Sequence, residues 1–506
     1  MDIDKKSIAK NTIYLYVRFI FVLLVNLYSS RILLEELGVT DFSLYNTVFS
    51  VVGFLSFLSS TLSTSTSRFI TFELGAGNKN KLQITYSTTW FAHILLSLFI
   101  LILAESIGLW YVCNIMMVSV DRFAAALFVY QISIFVTIIS ILQIPFTSTI
   151  VAHESMSAYA YIGVFEALSK LAIAIFLVMG MGDKLILYAI LSLFVSIAVC
   201  LAYMIYAKRH FSEISFSLKW DAKILKKIIG FSGWNIMANV SNVLSTNVVI
   251  LLFNTFFAPV VVASQTIASQ VYNGLNQLTH NVRAAVNPQI IKLYADGNFL
   301  QSRNLTISSA EFLFDISMIT CIPTIVVSQF ILELWLVEVP TFSVVFTQLM
   351  LLQAVLETFN ASYYTPMLAS NKIAKNSILG LILSVIQVVI LYILFYRGFG
   401  PLWARYIGIL IAVIFSWIVK PIILCRDIDY PVKQIVQSLF QCLKKLICVA
   451  IPSIFVYLFV PQDNFMNTAL SGLLSLLFTV LVVLAMMSKS KKDYIKNIIL
   501  TRFGNK

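Results

Sequence analysis

Asn235, Asn239, Asn242 and Thr246 follow one another at steps of four, three and four inside an otherwise apolar stretch. At 3.6 residues per turn that spacing sets all four on one face of a helix. Gln265, Ser269, Asn273, Asn276, Gln277 and His280 make a second stripe, and Ser56, Ser59, Ser60, Ser63 and Ser67 a third. Such amides and hydroxyls can hydrogen-bond a polyhydroxylated solute, or join neighbouring helices to one another. Facing hydrocarbon, each unpaired amide would cost several kcal/mol, so the stripes face protein or water. Charges interrupt the same stretches. Lys170 follows Glu166 by one helical turn, Arg18 and Arg31 lie within a single apolar run, and Arg68 and Arg283 close two others. These cations suit an anion, and the arginine fork matches phosphate. The structural alternative is a self-satisfied Glu166–Lys170 pair, with Arg18, Arg68 and Arg283 snorkelling to the membrane surface. Glu311 and Asp315 share a helical face, and Glu357 lies in the next apolar run. Carboxylates there can hold a coupling proton or sodium ion, or Glu311 and Asp315 can pair with Arg283.

Signatures of catalysis are missing. The sequence has no phosphate-binding P-loop, no H-E-x-x-H and no G-x-S-x-G. His93, His153, His210 and His280 are scattered, and the six cysteines form no C-x-x-C pair, so neither a metal centre nor a disulfide framework is expected. The chain is expected to be no enzyme and to need no cofactor.

The elements that must position these residues follow from composition. Of 506 residues, 59% are hydrophobic and 11% charged, and the mean hydropathy is +0.90. Soluble domains carry roughly 25% charged residues. Apolar windows of about 20 residues recur throughout, each long enough to cross a bilayer core of roughly 30 Å as a helix. Backbone groups find no partners in lipid, so the windows must be helices. The fold class is therefore an all-α polytopic membrane protein. Fourteen spans are expected, near 12–34, 42–67, 85–108, 123–148, 158–180, 185–207, 231–255, 260–286, 306–331, 343–368, 376–396, 401–424, 445–460 and 466–488. The first is too long for a signal peptide and lacks a small-residue cleavage site, so it is expected to remain as a span.

With this numbering most of the 35 basic residues fall on one side, while the opposite connections carry Glu35, Glu36, Asp41, Asp121, Asp183, Glu333, Glu338 and Asp463. The positive-inside rule puts the basic side, and both termini, in the cytoplasm. Net charge of +12 is then a topology signal, and no nucleic-acid partner is expected. Between spans six and seven, Asp221 to Ile229 alternates lysine with isoleucine and leucine at helical spacing, suiting an amphipathic helix on the inner leaflet. It divides the chain into a first lobe (1–210, spans one to six), a second lobe (211–425, spans seven to twelve) and an appended pair of spans with a basic tail (426–506). The lobes look repeated. A shift of 220 brings Val51 onto Val271, Leu55 onto Leu275, Leu58 onto Leu278, Ile70 onto Ile290 and Gly77-Asn78 onto Gly297-Asn298, though Arg68 lands on Pro288. Two lobes of six helices around a central cavity are expected, with substrate bound at their interface.

The stretch Leu37 to Asn46, LGVTDFSLYN, the basic-flanked loop after span two and Pro145 in span four resemble the Wzx-type polysaccharide flippases of the multidrug/oligosaccharidyl-lipid/polysaccharide exporter superfamily. PQIIKLYADGN, from Pro288 to Asn298, resembles the second cytoplasmic turn of that family. The resemblance implies a bacterial inner-membrane transporter that moves an undecaprenyl-pyrophosphate-linked oligosaccharide from the inner to the outer leaflet by alternating access, alongside polysaccharide assembly machinery. It fixes no residue roles. On chemistry alone, Arg18, Arg31, Arg68, Lys170 with Glu166, and Arg283 would meet the pyrophosphate, and Asn239, Asn242, Asn273 and Gln277 the sugar. Glu311, Asp315 and Glu357 would serve a coupling H+ or Na+. A cation-coupled drug exporter of the same superfamily would want an acidic cavity, which these three acids keep open. A membrane-embedded polymerase usually needs a large extracytoplasmic loop, and the loops here are short.

Overall fold

The computed structural model describes residues 5–486, apart from 76, 180–181, 212–213, 215–219, 371 and 461–463. The described residues form helices and no strand. In order, α1 is Lys5–Gly53, α2 Ser56–Gly75, α3 Lys79–Asn114, α4 Val120–Ala152, α5 Met156–Val178 and α6 Lys184–His210. Next come α7 (222–256), α8 Pro259–Ala295, α9 Phe299–Val326 and α10 Ser328–Trp335. The rest are α11 Ser343–Thr358, α12 Tyr364–Ala369, α13 Ala374–Tyr396, α14 Trp403–Asp427, α15 Val432–Phe459 and α16 Phe465–Met486.

Where they are described, the fourteen expected spans lie mainly on helix. Nine helices among the described residues are long and apolar enough to cross a membrane, and two bent pairs, α1–α2 (57°) and α11–α12 (45°), bring the number to eleven. The polar stripe of α8 lowers its hydropathy and keeps it out of that set. The chain is a multi-pass membrane protein. Its lipid-facing surface shows in exposed apolar side chains such as Phe194 and Leu201 of α6, Tyr392 of α13 and Phe455 of α15.

Local chemistry places the breaks. Gly38 takes φ 68° inside α1, a left-handed conformation open to a residue without Cβ, and separates the first span from the second. The two Gly-Asn sites related by the 220-residue shift are built alike. Gly77 and Gly297 have φ of 72° and 75°. The following asparagines cap the next helices, Asn78 accepting from the Lys81 amide and Asn298 from the Gln301 amide. Ile70 and Ile290 are both fully buried. These are turns, as expected, and no phosphate cradle. The Asp221–Ile229 segment is not a separate surface helix: Asp221 caps α7, which runs on through the seventh span. Three π-bulges interrupt helices at 104–108, 244–248 and 414–419. Side chains meet the backbone there, Tyr130 donating to the Ala104 carbonyl at 2.6 Å and Asn360 to the Ser416 carbonyl.

The chain divides into two compact units. The first holds residues 1–266, 335–342 and 380–401. Within it α4 packs on α2, α3 and α6, α1 on α5, and α2 on α7. Three of the acids expected in the outer connections are gathered there: Arg122 bridges Asp41 and Asp183, and Lys184 pairs with Glu36 at 2.6 Å. Asp463 lies outside the described residues. Burial pushes the Asp183 carboxyl up, but hydrogen bonds from Arg122 and two backbone amides outweigh it and hold the group below its usual range. The second unit holds 267–334, 343–379 and 402–506. Its centre is α9, packed on α11, α15 and α16, with Phe314, Phe359, Tyr363 and Leu424 in a closed aromatic and aliphatic core.

Candidate polar sites within the two units

In the first unit the hydroxyl ladder of α2 has two faces. Ser60 and Thr61 donate to the Phe57 carbonyl and Thr71 to the Ser67 carbonyl, the back-bonding that lets hydroxyls sit in a helix. Thr61 turns inward, where its oxygen accepts from the Asn239 amide at 2.7 Å and ties α7 to α2. The other face is open. A hollow of about 630 Å³ is lined by Ser63, Ser67, Arg68, Thr71 and Phe72. Asn242 and Thr246 on α7 are exposed, Thr246 donating to the Asn242 carbonyl.

The seam between α1 and α5 carries charge. Arg18 lies over the Tyr159 ring, 4.4 Å from its centroid. It fits because residue 163 is glycine; a Cβ there would overlap the guanidinium. The buried Arg18 Nε has no hydrogen-bond partner. Tyr159, Gly163, Glu166 and Lys170 recur at steps of four, three and four, so they share the face of α5 on which Arg18 rests. Lys170 donates to Glu166 at 2.6 Å, and the two side chains remain 46% and 37% exposed. The self-paired arrangement is therefore present, with both groups still reachable. Arg31 is half-buried on α1, 13 residues beyond Arg18, or about 20 Å along the helix.

In the second unit Glu357 of α11 is the hub of a network. It accepts from the Tyr272 hydroxyl at 3.0 Å and from Gln353 at 2.7 Å. Asn276 donates to the Tyr272 oxygen, and Gln277 to Asn281. Asn273 and His280 are exposed on α8, and Arg283 is half-buried. Around Glu357 stand two cations of α14: Arg405, 5% exposed, and Lys420, which donates to Asn360 at 3.0 Å. Both lie within electrostatic reach of the Glu357 carboxylate.

Glu311 and Asp315 both meet α15, and Asp315 meets the residue at the expected start of span thirteen. Lys445 lies well inside α15, 5% exposed, and donates to both Asp315 oxygens at 2.7 and 2.9 Å. Ser438, two turns earlier, donates to Glu311 at 2.7 Å. Span thirteen, expected to start at residue 445, lies on a helix that begins at Val432, so Lys445 stands well inside it and not at its edge. Lys420 and Arg405 are not among the sequence candidates, although a cation inside an apolar window, as Arg405 in WARYIGIL, is a signal in itself. No group of three or more metal-ligating side chains occurs among the described residues.

No family model matches the chain, and no curated protein does. Solved structures do. The lipid II flippase MurJ in an inward closed conformation superposes with a TM-score of 0.69 at 16% identity, covering 95% of this chain and 99% of that one. An inward-facing multidrug resistance MATE transporter of the MOP superfamily gives 0.65 at 15% identity, over 84% and 96%. A MOP superfamily transporter from Pyrococcus furiosus, described by the reverse polarity of its binding pocket, gives 0.60 at 16%, over 81% and 94%. This chain has the fold of these transporters. In that fold it carries a cation-bearing seam and a hydroxyl-lined hollow in one unit and a buried cation cluster around a single carboxylate in the other.

Proposed function

We propose that the protein is a flippase of the bacterial inner membrane. It carries an undecaprenyl-pyrophosphate-linked oligosaccharide from the cytoplasmic to the outer leaflet, by alternating access, for polysaccharide biosynthesis. The observation that carries this reading is the α1–α5 seam, where Gly163 leaves room for Arg18, an Arg18 nitrogen is unpartnered, and Lys170 follows on the same face. A pyrophosphate supplies acceptors for both cations. In the first unit Arg31 and Arg68 add basic groups, and Asn239, Asn242 and the α2 hydroxyls offer hydrogen bonds to sugar; in the second unit Arg283 adds a cation, and Asn273 and Gln277 offer amides. Fold likeness to a lipid II flippase supports the reading. Polysaccharide assembly enzymes would be its partners.

The test is leaflet-resolved accumulation of lipid-linked oligosaccharide in cells lacking the protein. Wild type is expected to clear a pool trapped on the cytoplasmic leaflet, and Arg18→Gln and Lys170→Ala to leave most of it at equal expression. A pool that never forms, in a strain with no second flippase, overturns the reading. A second reading, a cation-coupled multidrug exporter, draws on Glu357, a carboxylate held by Tyr272 and Gln353 inside the second unit. It requires drug sensitivity on deletion and a Glu357→Gln variant that no longer protects, with lipid pools unchanged.

A further inference from the structure

Arg405 is the most incompletely satisfied charge described in the second unit. It is 5% exposed, its Nε has no hydrogen-bond partner, and its guanidinium makes no ion pair among the described residues. Its one ring neighbour is Phe346, fully buried, with the guanidinium carbon 5.9 Å from the centroid. A desolvated, uncompensated cation is among the costliest features a core can hold. The carboxylate in electrostatic reach, Glu357, is engaged elsewhere: Tyr272 donates to one oxygen and Gln353 to the other. Lys420 adds a second cation near Glu357. Arg405 and Lys420 thus face one carboxylate, and the cluster around it holds one excess positive charge.

We propose that Arg405 is the centre of a site for a small monovalent anion, of halide size, inside the second unit. Enclosure sets the size, because a group this buried cannot receive a diphosphate carrying a lipid and a glycan. Charge sets the valence: one negative charge relieves the excess, while a dianion beside ionised Glu357 is disfavoured. The free Nε–H and the rest of the guanidinium fork supply the donors. The site is separate from the α1–α5 seam, and its ligand is not the transported substrate, so it stands whether or not the flippase reading does.

The experiment measures the unfolding midpoint of the detergent-purified full chain while sodium gluconate is replaced by sodium bromide at constant ionic strength. Bromide is expected to raise the midpoint saturably, by about 2 °C or more. Arg405→Gln is expected to abolish the rise. Should that variant not fold, Glu357→Gln provides an independent reading. Removing the nearby negative charge is expected to lower the bromide concentration at half-effect several-fold. An equal midpoint in bromide and gluconate for wild type overturns the proposal, as does an undiminished response in Arg405→Gln. A half-effect concentration unchanged or raised in Glu357→Gln does the same.

Discussion

Asp315 and Lys445 show how residue-scale chemistry separates look-alike acids. Both are buried, at 3% and 5% exposure, and Lys445 donates to both carboxylate oxygens. A pair of this kind can contribute little net stability, since desolvation offsets the attraction, yet losing one member strands a charge. Lys445→Met alone is therefore expected to destabilise by about 3–5 kcal/mol. Asp315→Leu combined with Lys445→Met is expected to recover most of the loss, because it removes both charges and keeps apolar volume. Thermal unfolding of the single and double variants in detergent decides; a double variant no better than the single would mean that the pair does more than satisfy itself. Glu357 differs, since its partners Tyr272 and Gln353 are neutral donors and its neighbouring cations are not paired with it. The sequence showed three interior acids of one type, and partners distant in the chain divided them. That division was not legible, because Lys445 lies 130 residues from Asp315.

At the scale of elements, the repeat in the sequence predicts a repeat in geometry, and the two Gly-Asn turns supply it. Gly77 and Gly297 occupy the left-handed region, where a Cβ costs about 1 kcal/mol or more, although open space surrounds both. The cost at these sites is thus conformational and not steric. Gly77→Ala and Gly297→Ala should each lower stability by about 1 kcal/mol, and Gly→Asn at either site should cost less, since asparagine tolerates positive φ. Loss of the cap in Asn78→Ala or Asn298→Ala should cost a similar amount. Chemical denaturation of the six variants tests the equivalence; a large effect at one turn and none at the other would make the likeness superficial. The existence of each span was legible because hydropathy is a local property. The ends were less so: α15 starts 13 residues before the expected span, because its first turns alternate polar and apolar residues instead of running apolar. The amphipathic stretch after Asp221 was recognised as helical, but whether it lies flat or continues into α7 depends on packing that periodicity does not encode.

For the whole molecule, orientation decides the direction of transport, and the charge distribution argues for one orientation. The Arg122 cluster gathers Asp41 and Asp183, with the Lys184–Glu36 pair beside it, at the Gly38 break of α1 and the N-terminal ends of α4 and α6. Lys79 and Lys81 flank the opposite end of α3 from Ser119. Lysine and arginine retained near short loops mark the cytoplasmic side, so the Gly77-Asn78 turn is expected to face the cytoplasm and the Arg122 cluster to face outward. Single cysteines can read this directly once the six native ones, Cys113 exposed among them, are replaced by serine. Ser119→Cys and Lys79→Cys both fall at exposed positions. A membrane-impermeant maleimide is expected to label Ser119→Cys in intact spheroplasts, and Lys79→Cys only after the membrane is opened. The reverse pattern would invert every leaflet in the proposed mechanism. It would place the α2 hollow at the outer surface, where Arg68 could not receive a pyrophosphate made in the cytoplasm, and flipping outward would lose its physical basis. Labelling of both positions from one side would instead remove a crossing between them and break the even count of spans on which the shared cytoplasmic placement of the termini rests.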